Sequence, residues 1–199
     1  MKKFIPLLMT AVICLTACSS QGQAELDDRK ENENETGSET EVTEIIIPES
    51  YLNFVDADPE ETAESYKDYC SGVEAEGNSV VIKVTEQEKD ALIEMNTDFI
   101  EEAVGEFQAE NEAYSCQFED DFSSVTYQYD ENISMTVQAK VLMGVTATYV
   151  LNGILENEAS DWSVKVNIVN CHTGNTVAQG TLPEDEITFD ESTWEKSYE

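Results

Sequence analysis

The residues able to carry chemistry are few in kind. The chain has one histidine, His172, so a proton-shuttling triad or an imidazole-ligated metal has to use it. His172 sits in the run Asn170-Cys171-His172-Thr173-Gly174, which reads as a hairpin turn, and a histidine there is expected at the surface. Cys171 beside it would make a metal or redox pair, but two adjacent donors are not a zinc site without others. There is no Cys-x-x-Cys, no His-Glu-x-x-His and no glycine-rich phosphate loop. Asp56-x-Asp58-x-Glu60 begins like a calcium loop, yet Glu61 stands where glycine is needed and Lys67 where the closing glutamate is needed. Helix capping explains Asp58 and Glu60 better. Sugar hydrolysis asks only for two carboxylates at a suitable separation, and 43 acidic residues offer no basis for choosing a pair. No catalytic residue, metal ligand or cofactor is assigned from these groups.

One cysteine has a defined context. Lys2 and Lys3 precede an almost unbroken apolar run over 4–16, too short for the roughly 20 residues of a membrane-spanning helix and suited to an export signal. It ends in Leu15-Thr16-Ala17-Cys18, followed by the polar Ser19-Ser20-Gln21-Gly22. This ending resembles the lipobox of bacterial lipoproteins: Leu three residues before the cysteine, then two small residues. Cys14 is preceded by the bulky Ile13 and does not fit. The resemblance implies that 1–17 is removed and that the Cys18 thiol takes a diacylglyceryl group, becoming the first residue of the mature chain. It also implies a membrane partner through that lipid and a place on the extracytoplasmic face of the cell membrane. Two acyl chains anchor firmly where one holds only marginally, so no membrane helix is needed.

Composition narrows the partners. The formal charge is −33, with 43 acidic against 10 basic residues. Such a surface repels nucleic acid and anionic headgroups alike, which excludes nucleic-acid binding. Basic proteins, cations and neutral glycans stay open, and acidity by itself also serves solubility. Discounting Cys14 and Cys18 leaves Cys70, Cys116 and Cys171. They allow three single disulfides, each with one thiol over. An odd count does not look like a disulfide-stapled scaffold, so they read as core cysteines.

Several elements must position these groups. The polar, Glu-rich stretch 18–44 lacks an apolar period and reads as a lipid-bearing cysteine followed by a disordered tether, averaging about 30 Å end to end as a flexible coil. Ile45-Ile46-Ile47 opens the globular domain as a short strand ended by Pro48. Asp58-Pro59-Glu60-Glu61 starts a short helix, and 73–84 alternates as a hairpin turning at Glu76-Gly77-Asn78. Thr85-Glu86-Gln87-Glu88 is a capping box. It opens a long amphipathic helix with Leu92, Met95, Phe99, Ala103 and Phe107 on one face. Strands follow near 114–118 and 125–129. Residues 133–155 carry both strand-like and helix-like periods, and length favours a second helix. Trp162, Val164, Val166 and Ile168 begin a terminal hairpin, and the acidic 184–199 reads as a loosely docked tail. Trp162, Tyr127 and Tyr129 share faces with valines, so with Trp194 they are weighed as core before any ligand platform.

The expected fold is α+β, a two-layer sandwich of one antiparallel sheet with two long helices on one face and a short N-terminal helix. The expected parts are a signal peptide (1–17), the lipidated cysteine and tether (18–44), a globular domain (45–183) and an acidic tail (184–199). The layout, with Ile47-Pro48-Glu49-Ser50-Tyr51 at the entry, also resembles a set of small cell-surface lipoproteins of Gram-positive bacteria. That likeness implies the same cellular class and no activity. A non-enzymatic, lipid-anchored module binding a protein or glycan near the membrane is the leading expectation. An acid-pair hydrolase acting on cell-wall or glycan material is the alternative.

Overall fold

A computed structural model describes residues 41–199; the expected signal segment, Cys18 and nearly all of the tether lie outside them. The chain is a mixed α/β protein with two sheets. Strand β1 (Val42–Ile47) starts three residues earlier than the apolar triplet suggested and pairs antiparallel with β3 (Ser79–Thr85), which also pairs with β2 (Gly72–Glu76). Gly77, at φ +63°, makes the β2–β3 turn, a left-handed position where glycine carries no Cβ penalty. Alternation buries Ile45 and Ile47 of β1 with Val80, Ile82 and Val84 of β3.

Pro48 does more than end β1. It caps helix α1 (Glu49–Phe54), an element that its brevity hid from periodicity. Helix α2 (Pro59–Tyr66) is capped by Asp58, whose carboxylate accepts from the Glu60 and Glu61 backbone N–H groups at 2.9 and 3.0 Å. The long helix α3 (Glu86–Glu110) opens with the capping box: Thr85 Oγ1 accepts from Glu88 N, and Glu88 accepts from Thr85 N. It buries Leu92, Ala103 and Phe107 while Phe99 stays half exposed.

The second sheet runs β4 (Ser115–Phe118), β5 (Ser124–Tyr129), β6 (Val164–Asn170), β7 (Thr176–Leu182). Here the expectation of a single antiparallel sheet is corrected twice. The strands divide into two sheets, and β5 and β6 are parallel, with Tyr127 opposite Ile168. The cause is the connection between them. Residues 130–163 contain α4 (Met135–Ala139), a π-helical segment (Lys140–Val145) and α5 (Thr146–Asn157). A helical crossover of that length returns the chain to the same end of the sheet, so the next strand enters parallel. Side-chain alternation shows which face is buried and says nothing of strand direction.

One core joins both sheets through the helices. α3 packs on α5 and touches β3 and β4. Tyr127 is fully buried, its hydroxyl 2.7 Å from Thr146 Oγ1. The Tyr149 hydroxyl donates to the carbonyls of Glu119 and Ser124. The opposite face of β5 and β6 is polar, with Asn167 donating to Thr126 Oγ1 at 3.3 Å.

Residues after β7 are not a loose tail. Asp190 caps helix α6 (Glu191–Ser197), and Trp194 is buried against Tyr129 at a ring separation of 5.3 Å. Ser197 is buried too, accepting a 2.7 Å hydrogen bond from Asn170 Nδ2. High acidity masked this segment because its apolar side chains, Ile187, Phe189 and Trp194, are spread among charges.

Candidate functional site

Parallel pairing of β5 and β6 brings the carboxyl ends of both strands to one edge, the place where ligands collect in parallel sheets. Asp130 directly follows β5, and Cys171 and His172 directly follow β6. Cys171 N donates to the Tyr129 carbonyl at 2.9 Å, which locks the two strand ends together. His172 Nε2 lies 3.0 Å from Asp130 Oδ2. The other carboxylate oxygen accepts from the Tyr114 hydroxyl at 2.7 Å and from Asn132 N at 2.8 Å. One donor atom each from Asp130, Cys171 and His172 all fall within 4.8 Å of one another.

The surroundings hold this cluster in shape. Asn170 is fully buried; its Oδ1 accepts from His172 N at 2.9 Å, fixing the turn, and its Nδ2 reaches Ser197. Thr173 Oγ1 donates to the Ser197 carbonyl at 2.7 Å. The His172 and Tyr198 rings stack 6.1 Å apart, and the Tyr198 hydroxyl donates to Glu131. The end of the chain therefore clamps the turn from one side while the His172 side chain stays half exposed.

Electrostatics follow from burial and hydrogen bonding. Desolvation raises the Asp130 carboxyl, but the bonds from Tyr114, Asn132 and His172 outweigh it and hold it below the usual carboxylate range. Burial, then the bond to Asp130, pushes the Tyr114 phenol up. Burial, then the Asp130 charge, raises the Cys171 thiol. An ionised Asp130 accepts the Nε2–H of His172 and so fixes its tautomer. That is the orienting half of a hydrolytic triad. The nucleophilic half is missing among the described residues, because no hydroxyl or thiol hydrogen-bonds to His172, and a raised thiol is a poor nucleophile.

Sequence reasoning placed Cys171 and His172 on one turn and missed Asp130. Its only signal was an acid ending the Val125, Tyr127, Tyr129 alternation, which reads as turn chemistry; Asp130 does accept from Asn132 N in that way. Without the parallel pairing nothing links residue 130 to residue 172.

The other expected positions lie elsewhere. Asp58 is occupied with its helix cap, and Asp56, at φ +53°, turns the chain just after helix α1. Tyr127, Tyr129 and Trp194 are core. Trp162 is half buried, donating from Nε1 to Ser50 Oγ at 3.0 Å and packing on Tyr51 and Phe54. With Phe122, Gly153 and Val164 it lines a shallow cleft of about 160 Å³ that also holds Asp121 and Asp161. Hydrogen bonds from Ser123 hold Asp121 low, whereas a glycosidic general acid needs a raised value. Cys70, Cys116 and Cys171 are all free thiols. Burial, then the Glu88 charge, pushes Cys70 up to about 11. Burial pushes Cys116 up to about 12. Cys18 lies outside the described residues.

Compared with known proteins, the chain matches no family model, no curated protein and no solved structure.

Proposed function

We propose that this chain is a lipid-anchored extracytoplasmic module of a bacterial cell envelope that binds a protein or glycan partner near the membrane. The observation that carries the reading is Leu15-Thr16-Ala17-Cys18 behind Lys2, Lys3 and the apolar run 4–16. Cys18 is the lipid-bearing residue, and the membrane is the first partner through its acyl chains. Two further facts support the reading. No helix among the described residues is long and apolar enough to cross a membrane, and an anchor at Cys18 needs none there. The first described strand begins at Val42, so a polar, Glu-rich run of sequence separates Cys18 from the domain. In this module α3 and α5 pack between the two sheets' buried faces, and the polar face of β5 and β6 is turned outward for contact.

The binding role is favoured over wall hydrolysis because Asp121 of the Trp162 cleft is held low by Ser123 and so does not keep the proton a glycosidic general acid has to donate. Cell fractionation with palmitate labelling tests the anchor. The wild-type chain is expected in the membrane fraction carrying label, and Cys18→Ala is expected to lose both. Retention of label and membrane association in Cys18→Ala would refute the anchor.

A further inference from the structure

The Asp130, Cys171 and His172 cluster presents a carboxylate, a thiol and an imidazole at the joined ends of two parallel strands. We propose that these three side chains bind a borderline-soft divalent cation, zinc foremost, and leave its fourth position to water or an exogenous ligand. This site goes beyond the lipid anchor and does not depend on it.

The donor set selects the ion. Thiolate and imidazole favour zinc over calcium or magnesium, which take oxygen shells. Three protein donors of mixed S, N and O type with one position free match the open class of zinc site. Geometry is close to closure. Zinc bonds of about 2.0–2.3 Å in a tetrahedron set neighbouring donors roughly 3.3–3.8 Å apart, and the three donor atoms here already lie within 4.8 Å. The Nε2 to Oδ2 separation of 3.0 Å falls a few tenths of an ångström short of that range, so the pair has to open only slightly to admit the ion. The outer contacts are those that orient metal ligands: Tyr114 and Asn132 occupy Asp130 Oδ1 and leave Oδ2 to the ion. Asn170 fixes the His172 backbone, and Tyr129 fixes that of Cys171.

Access and field agree with the donors. His172 is half exposed, so the ion has an entry route and the ring has freedom to close on it. A formal charge of −33 concentrates cations at the surface. On binding, the ion replaces the Cys171 thiol proton, which leaves to solvent. The His172 Nε2 proton moves to Nδ1 so that Nε2 can coordinate.

Cobalt is the probe, titrated into the full-length chain after chelator treatment. The expected result is one equivalent bound, with a thiolate-to-cobalt charge-transfer band in the near ultraviolet and four-coordinate visible bands. Zinc should displace it stoichiometrically. Cys171→Ser should abolish the charge-transfer band, and His172→Ala should weaken zinc binding by at least about tenfold. Both positions are partly exposed, so the fold is kept, and Cys70→Ser with Cys116→Ser should leave the band intact. No cobalt bound at one equivalent would overturn the site. So would a band that survives Cys171→Ser, or one that disappears with Cys70→Ser or Cys116→Ser.

Discussion

At the scale of single residues, the buried polar pairs are the sharpest features. Tyr127 and Thr146 are both completely buried and share one hydrogen bond of 2.7 Å. Tyr127→Phe leaves the threonine hydroxyl without its partner in an apolar core, which costs about 1–3 kcal/mol. Removing both hydroxyls with Tyr127→Phe and Thr146→Val should recover most of that loss. Urea unfolding of the two singles and the double closes the cycle, and simple additivity would show that the bond does not couple them. Glu88 gives a pH dependence. The bond from Thr85 N, then those from Ser71, lowers its carboxyl below the ordinary value despite desolvation. A depressed folded value means the stabilisation is fully present above the unfolded value of about 4.3 and is lost as pH falls through the folded one. Wild type should therefore exceed Glu88→Gln in stability at neutral pH, and the gap should close in acid. Denaturant titrations at the two pH values measure it. The capping box was legible because its grammar is local: four residues name their own partners. Asp130 was illegible for the opposite reason, since its partner His172 is 42 residues away and meets it only through a strand pairing no local pattern encodes.

At the scale of elements, the helical crossover between β5 and β6 decides the topology. Its helical reading was legible from length, while its π-helical segment was not, because one extra residue per turn leaves no compositional mark. Two glycines on this crossover separate tight packing from loose. A Cβ at Gly153 would sit 2.9 Å from Phe122 Cβ, close to backbone that is itself held at φ +59°. One at Gly144 would meet only the outer edge of the Phe99 ring at 3.2 Å, and that ring is half exposed and free to yield. Gly153→Ala should destabilise by about 1–3 kcal/mol through overpacking. Gly144→Ala should be neutral or gain up to about 1 kcal/mol in helix propensity. Thermal unfolding of the two variants checks the ranking, and equal effects would show that Phe122 does not constrain the crossover. The faces of β5 and β6 were legible, because burial alternates with period two along both. The β5–β6 direction was not, since a parallel and an antiparallel strand bury the same alternate residues.

At the scale of the whole molecule, the chain is an acidic domain whose core is closed by its last helix. Trp194 packs on Tyr129 and on Phe189, with ring separations of 5.3 and 6.3 Å. Trp194→Ala should cost about 3–5 kcal/mol, the range for truncating a buried aromatic, where a loosely docked tail would register almost nothing. Calorimetry distinguishes the two. The same helix carries Ser197 and Tyr198 to the turn of Cys171 and His172, so closing the core and shaping the cluster are one event. The proposed place of this domain in the cell rests on residue 18. The most direct measurement is the intact mass and N-terminal residue of the chain extracted from membranes. The account predicts a chain that starts at Cys18 and bears a thioether-linked diacylglyceryl group. A chain that retains Met1, or one with a free thiol at Cys18, would contradict it.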